Sequence, residues 1–443
     1  MRKYTGMFGL LMLLTLWMPK VVSAQNTESV EVLTYRLFME QKWDSLLVTG
    51  EAAIASGTDY FYLRMRTGRA AIELHRYAKA AIHLEKAREF NELDTDAATL
   101  LYLACLYEGR TAAAGHLCSK LTPKMANSVC HDRFSGKIMA EAGYMTSNQN
   151  KKYPKTGNNA APVYTEDHAY LSAKYGLIGM EQQLGYRLSL SASVSTLLFD
   201  KQRNVTIRGF DSLSDSYRLS QMEVYLATAI TLNKYFVFEP AFRWVKVSFP
   251  YPFVNYDSGS ATYFIPGIKN NFNDYVAGGQ FNCTVPYFDV FAGAWTSRYE
   301  NNKQTQASLG IMWRPLGSLN LYTTSIFSMV SIQRKSNFLF YQKAGFRLTD
   351  WLWTELFASF GDHTGTSAFN ARVFYNLSDR LNFYGGGKFI VPLSDNLTLT
   401  FNYQWSNSEG RSFKILPSGE RKFSVYEYQN QIITGGIVWK ING

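Results

Sequence analysis

Between Gly185 and Phe249 the chain alternates. From Tyr186 to Ser195 the even positions (Tyr186, Leu188, Leu190, Ala192, Val194) are apolar or aromatic, and the odd ones (Arg187, Ser189, Ser191, Ser193, Ser195) are polar. A period of two puts each set on its own face of a β-strand. Similar segments recur to the end of the chain, with short turns and almost no helical pattern between them. In Tyr217 to Thr231, Met222, Val224, Leu226 and Ile230 share a face while Gln221 and Glu223 point the other way. In Leu397 to Trp405 the odd positions suit lipid and the even ones a lumen. A soluble sandwich also alternates, but so many successive segments of this length predict a closed barrel in a membrane. In lipid every backbone polar group must be paired, and a closed sheet leaves no edge.

The strands predicted are 137–147, 168–179, 185–199, 217–231, 235–249, 272–283, 287–297, 305–314, 319–332, 338–348, 351–360, 381–392, 397–407 and 423–441. That is about fourteen, with twelve and sixteen as the neighbouring even counts. Short links at Leu232–Tyr235, Leu348–Trp351 and Leu393–Asn396 have the length of periplasmic turns. Asp200–Ser216, Pro250–Asn271, Gly361–Arg380 and Ser408–Lys422 have that of outside loops. Phe369 to Asp379 is taken as a structured loop, because a strand there breaks the even parity.

Upstream the period changes. From about Thr27 to Asn127, Leu, Ala and charged residues recur at helical spacing with few Gly or Pro. Two interior segments superpose at a shift of 34 residues, with Tyr62 to Leu74 and Ala78 to Phe90 as one helical hairpin. Gly68, Ala71, Tyr77, Ala80, Leu84 and Ala87 fall where a tetratricopeptide repeat keeps its small and packing residues, and the chain resembles about three such repeats. They are the framework of an expected protein-docking surface; the plainer alternative is a helical spacer against the barrel mouth. Before them, Arg2 and Lys3, the apolar run Met7–Met18 and Val22-Ser23-Ala24 have the form of a secretory signal peptide. The expected division is a signal peptide at 1–24, a helical periplasmic domain at 25–130 and a barrel at 131–443, an α+β multidomain chain.

Composition sharpens this picture. Aromatic residues make up 15%, with 29 Tyr and 30 Phe, in keeping with the aromatic girdles of membrane barrels. Mean hydropathy is -0.18, and no segment after the leader offers ~18 consecutive apolar residues, which argues against membrane helices. The net charge is +10; Arg2, Lys3 and Lys20 lie in the leader, which leaves +7. No basic run forms a tract, so nucleic acid is not an expected partner. Outer-membrane lipid, lipopolysaccharide or an acidic polymer suits an exported basic chain better.

The four cysteines suit an oxidising compartment. Cys105 and Cys118 hold equivalent places on the two helices of the third hairpin, so a disulfide is expected between them, with Cys130 as a competing partner and Cys283 isolated. Neither a CxxC nor a Cys/His metal spacing is present, and no cofactor or metal is expected. Of the six histidines, four precede the first barrel strand, and His168 and His363 lie at predicted strand ends or loops of the barrel. A barrel hydrolase would need one of them to meet a wall serine, with a third group orienting it. No acid–base spacing supports that chemistry, and no enzymatic activity is expected. Arg187, Gln221, Glu223, Glu239 and Arg243 alternate with lipid-facing positions and are expected to face the lumen, where they either pair and fill it or form a selectivity constriction.

A helical repeat joined to a barrel resembles bacterial outer-membrane barrels with a periplasmic tetratricopeptide module. These include exopolysaccharide exporters such as the poly-N-acetylglucosamine porin, surface lipoprotein assembly modulators and barrels from Bacteroidota. The likeness is one of layout over nearly the whole chain past the leader. The chain ends Trp439-Lys440-Ile441-Asn442-Gly443 rather than in the terminal aromatic common in proteobacterial barrels. The resemblance implies a Gram-negative outer membrane, a periplasmic or inner-membrane protein partner for the helices, and export or surface assembly of a polysaccharide or protein. The alternatives are a passive diffusion channel with a structural cap and a lipid-modifying barrel enzyme.

Overall fold

The computed structural model describes residues 27–130, 134–149, 162–210, 212–250, 255–257, 262–264, 269–299, 302–332, 335–376 and 378–441. The leader expected at 1–24, His131, the last two residues and parts of the connections 148–166 and 250–271 lie outside these. Seven helices come first: α1 (Thr27–Met39), α2 (Trp43–Ala55), α3 (Phe61–Glu73), α4 (Tyr77–Phe90), α5 (Thr95–Glu108), α6 (Thr111–Lys120) and α7 (Pro123–Val129). α1, α3 and α5 begin at 27, 61 and 95, and their hairpin partners at 43, 77 and 111, a constant step of 34. The step is held by small residues at the crossings. A Cβ on Gly68 would stand 2.7 Å from Leu84 Cγ, so only glycine lets α3 and α4 approach this closely. Asp94 caps α5 by accepting from Ala97 N at 2.7 Å, and Thr122 with Pro123 starts α7.

Ala71, Ala80, Leu84 and Ala87 are fully buried and Gly68 is buried beside them. Tyr77 is half-buried, its hydroxyl 2.8 Å from His75 Nδ1 and its ring 5.0 Å from that of Tyr107. These framework residues therefore form the inside of the stack. They set its shape and leave contact with any partner to their exposed neighbours.

The expected Cys105–Cys118 bridge is corrected. Cys118 is bonded to Cys130, with Cα atoms 6.1 Å apart, inside the range a disulfide spans without distortion. The 34-residue register takes no account of α7, a short extra helix that turns the chain back and lays Cys130 against α6. Cys105 stays a free thiol, 2% exposed in the helical core, and burial pushes its pKa up to about 12.

Fourteen antiparallel strands close the barrel: β1 (Gly136–Ser147), β2 (Tyr164–Gln183), β3 (Leu188–Ile207), β4 (Leu213–Thr231), β5 (Phe236–Pro250), β6 (Lys269–Val285), β7 (Phe288–Tyr299), β8 (Asn302–Trp313), β9 (Leu321–Ile332), β10 (Lys335–Thr349), β11 (Leu352–Phe360), β12 (Arg380–Pro392), β13 (Leu397–Ile415) and β14 (Arg421–Ile441). Each pairs with its sequence neighbours, and β1 closes on β14 from Gly136↔Ile441 to Ser147↔Asn430. The alternation is inverted relative to a soluble sheet. Val194, Met222, Leu226, Phe401 and Tyr403 are exposed on the outside, while Ser195, Gln221, Tyr225 and Ser406 are buried within. An apolar belt of this extent on a closed wall is the surface of a membrane-spanning barrel.

Two expected loops are strands instead. β3 and β4 run on to Ile207 and from Leu213, and β13 and β14 to Ile415 and from Arg421. Beyond the lipid band the outward row turns polar, through Asp200, Gln202 and Asn204 on β3 and Asn407, Glu409 and Arg411 on β13, which removes the apolar outer face that marks a lipid-facing strand. The tip of the β13–β14 hairpin also pairs with β2, Phe413–Ile415 against Tyr164–Glu166. The short links Leu232–Tyr235, Leu348–Trp351 and Leu393–Asn396 all lie at the end that carries both the start of β1 and the end of β14. Phe369 to Asp379 is a structured loop, as expected, and adds no barrel strand.

A peptide map of the non-reduced protein is expected to show one cross-linked pair, Cys118 with Cys130. Native alkylation should leave Cys105 unmodified until denaturant is added; recovery of a Cys105–Cys118 peptide would overturn this pairing.

Candidate functional site: a lumenal chamber beneath an inward-folded segment

The connection from β11 to β12, residues 361–379, turns into the barrel. It starts at His363, whose Nε2 lies 2.7 Å from Ser359 Oγ and whose Nδ1 faces the carbonyls of Gly361 at 2.7 Å and Leu381 at 3.0 Å. Two carbonyls can only accept, so Nδ1 carries the proton and Nε2 accepts from the serine hydroxyl. A nucleophile and its base would be oriented this way too, but both side chains are 2% exposed and the pair staples the entry of the segment. At the far end the Tyr428 hydroxyl donates to Asp379 at 2.8 Å. His168, the other barrel histidine, bridges Glu166 and Tyr217 at 3.0 Å each.

Between these anchors the segment crosses the lumen to strands half-way round the cylinder. Tyr225 on β4 donates to Asn370 O at 3.1 Å, and Arg243 on β5 donates from Nε to Ala371 O at 2.7 Å and from a terminal nitrogen to Arg372 O. Asn370 Nδ2 donates to the backbone carbonyl of Glu239 at 3.2 Å, and Asn376 to the side chain of Gln221 at 3.0 Å. Gln306 on β8 is bidentate: its amide donates to Ser367 O at 2.7 Å and its carbonyl accepts from Ser367 N at 2.9 Å. Arg372 pairs with Glu181 on β2 at 2.7 Å. At the tip Phe369, Asn370 and Ala371 take φ of 54°, 54° and 60°, a left-handed run that costs roughly 1–2 kcal/mol per residue other than glycine. The wall contacts offset that cost.

Three of the five residues expected to face the lumen act together here. Arg243 forms an ion pair with Glu223, Gln221 donates to Glu223, and Gln221 and Arg243 both hold the segment. Glu239 lines the space below. Arg187 stands in the turn before β3 rather than on a strand, and reaches out of the barrel to the helices. Alternation finds wall residues that face inward, but it carries no signal for what a loop does once inside. Asn370, Arg372, Asn376, Gln306 and Tyr225 were therefore not singled out from sequence.

The helices close the other side. Four successive inner turns touch them. Arg187 donates to Ser119 Oγ and His116 Nδ1, each at 3.0 Å; Lys234 meets Glu85 at 3.0 Å; Tyr287 N donates to Glu108 Oε1 at 3.0 Å; and Ala78 N donates to Gly317 O at 3.0 Å. Gly115 lies directly on the carbonyl of Tyr186, where any Cβ would collide. Burial and the Arg187 guanidinium hold His116 below the usual imidazole range, so its Nδ1 is free to accept. Glu108 and Arg110 are fully buried beneath the joint, 3.5 Å apart, and burial pushes the Glu108 carboxyl up against the opposing pull of Arg110.

Between segment and helices lies a chamber of about 720 Å³. Its roof includes Ser367, Phe369, Asn370 and Arg372, its floor Leu106, Thr111 and Gly115, and its wall Glu181, Glu239, Trp295, Tyr341 and Ser308. The volume and the mixture of rings, hydroxyls and a few charges are those of a small-molecule compartment. Among the described residues no group of three His, Cys, Asp or Glu side chains is placed to hold a metal ion.

No protein-family model and no curated protein matches the chain. Among solved structures it is similar to the Ralstonia pickettii toluene transporter TbuX, at 9% identity over 70% of this chain and 90% of that one, with a TM-score of 0.41. A Pseudomonas aeruginosa FadL homologue is similar at 8% identity, over 73% and 94%, with a TM-score of 0.40. The translocator domain of autotransporter NalP from Neisseria meningitidis gives 9%, 76% and 99%, and 0.32. At these identities and scores they are distant barrel neighbours and assign no substrate.

Arg243→Ala removes two donors to the segment and leaves Glu223 buried without its cation, a change on the order of 3–5 kcal/mol at such a pair. Hydrogen–deuterium exchange is expected to accelerate at the amides of 366–376 while those of β6 to β10 stay protected. Equal protection in variant and wild type would show that Arg243 does not hold the segment.

Proposed function

We propose that this protein is a channel for small solutes in the outer membrane of a Gram-negative bacterium, closed at rest by segment 361–379. The observation that carries this reading is the chamber between that segment and the helices, a compartment of small-molecule size inside a membrane-spanning wall. Short turns gather at the end that bears the helices, which supports a periplasmic place for them. The 34-residue step and the buried glycine and alanines support a tetratricopeptide-like stack. Export of a polymer would need the segment withdrawn from the whole cross-section of the lumen, against contacts to β2, β4, β5 and β8, and nothing in the geometry favours it over passage of small molecules. Tyr35, Met39 and Tyr62 are exposed on the helices and would meet a periplasmic protein partner there.

Planar-bilayer recording tests the channel. The wild-type protein is expected to show small or brief conductance, and a variant with 365–376 replaced by a short Gly/Ser linker a stable conductance several-fold larger. A linker variant that folds as a barrel, judged by heat-modifiable migration, and yet conducts no better than wild type would sink the proposal.

A further inference from the structure

Two neighbouring rungs of the inner wall differ in kind. On the one nearer the helices, Phe291, Gly310, Ile326 and Tyr341 are direct cross-strand partners from β7 to β10. A Cβ on Gly310 would stand 2.1 Å from Phe291 Cζ, so the phenyl ring fills the place of the side chain that glycine lacks and lies along the wall. Tyr341 ends the rung, its ring 5.1 Å from that of Phe369 in the inward-folded segment. Two residues further along the strands, Glu239, Gln280, Gly293, Ser308 and Ser328 are partners from β5 to β9. Here the glycine is covered by the Trp295 indole, whose Cη2 would stand 2.1 Å from a Cβ on Gly293. The first rung is a surface of rings and an aliphatic side chain. The second is a row of hydrogen-bonding groups.

Both rungs border the chamber, the first through Phe291, Ile326 and Tyr341 and the second through Glu239, Gln280, Ser308 and Ser328. Ser308 Oγ and Ser328 Oγ lie 2.6 Å apart. Each hydroxyl has one hydrogen and two lone pairs, so the pair keeps capacity for a further molecule. Two residues span about 7 Å along a strand, the breadth of a pyranose ring with its hydroxyls. An aromatic hydrocarbon would suit the first rung but would strip water from the second without replacing it. An anion would meet the Glu239 carboxylate, while Arg372 and Lys343 are already paired with Glu181 at 2.7 Å and Glu355 at 3.0 Å. What satisfies both rungs is an uncharged molecule with an apolar C–H face and a rim of hydroxyls.

We propose that these two rungs are a binding site for a small neutral sugar, a mono- or disaccharide. Phe291 and Tyr341 take the C–H face of the pyranose ring. Glu239 and Gln280 on one flank, and the Ser308–Ser328 pair on the other, take its hydroxyls. A carboxylate accepts from two hydroxyls at once, and an amide both donates and accepts, which is what a ring of neighbouring hydroxyls requires. The chamber of about 720 Å³ is of a size for so small a solute. The inference rests on the channel reading, since it names the solute class of that same chamber.

The test is calorimetric titration of the full protein in detergent, with matched empty micelles subtracted, using glucose, galactose and maltose as neutral sugars and glucuronate and toluene as acidic and apolar comparators. The wild type and the variant with 365–376 replaced by a linker are both titrated, so that a closed roof does not hide the site. The neutral sugars are expected to bind more tightly than either comparator. Phe291→Ala and Glu239→Ala should each weaken that binding on the order of tenfold, Phe291→Tyr should retain it, and Leu309→Ala, altered on the lipid face, should leave it unchanged. Heat-modifiable migration checks that each variant is a folded barrel. No neutral sugar bound by either protein, glucuronate or toluene bound as tightly, undiminished binding in folded Phe291→Ala and Glu239→Ala variants, or an equal loss in Leu309→Ala overturns the proposal. Binding is read without current, so the two readings fail separately. A protein that binds sugar while the linker variant does not conduct sinks the channel alone, and a linker variant that conducts yet binds no sugar sinks this inference alone.

Discussion

Closure of β1 on β14 is the constraint on which the rest depends. A backbone amide in lipid has no water to bond, and an unpaired one costs several kcal/mol. The ladder from Gly136↔Ile441 to Ser147↔Asn430 removes both edges at once. It also fixes where the helices sit. Only six residues separate Val129 from Gly136, so the helical stack starts directly beneath the seam, and its contacts with the turns at Arg187, Lys234, Tyr287 and Gly317 follow from that tether. The wall, in turn, encloses the space that segment 361–379 enters.

The interior is polar, and the charges nearest the segment are paired. Arg243 answers to Glu223 and to two carbonyls of the segment, and Arg372 to Glu181. Replacing a buried pair such as Arg243 and Glu223 by apolar groups is often harmless to stability, whereas removing one partner is not; the Arg372–Glu181 pair is half-exposed. The pairs therefore act less as a source of stability than as a way of fixing one position for the segment. The same lumen with an aliphatic lining would give residues 366–376 no reason to prefer one wall contact to another.

The wall was legible in the sequence because lipid on one side and lumen on the other impose a period of two that Val194/Ser195 and Leu226/Tyr225 display directly. All fourteen strands could be placed from it. The helical step of 34 was legible from Gly68, Ala80 and Ala87 because close helix crossings admit only small side chains. What failed had a common cause. At the ends of β3 and β13 the outward row turns polar, so the apolar outer face vanishes where the chain leaves the lipid band. The Cys118–Cys130 bond depends on α7, a helix of seven residues outside the repeat. The reach of residues 367–376 across the lumen is a matter of tertiary position, and Arg372 or Asn376 carries no mark in sequence that names the opposite wall. Arg243 and Gln221 were visible as inward-facing residues; their partner was not.

The left-handed run Phe369–Ala371 has a consequence for the order of events during assembly. Neither phenylalanine nor alanine holds that backbone shape unaided, and the groups that compensate it, Tyr225, Arg243 and the carbonyl of Glu239, come from strands laid down more than a hundred residues earlier in the chain. Those groups stand opposite β11 and β12 only when the cylinder is complete. The tip of the segment is thus a sensor of completion: it has no stable place to go in an open sheet, and it locks only in a barrel that has already sealed.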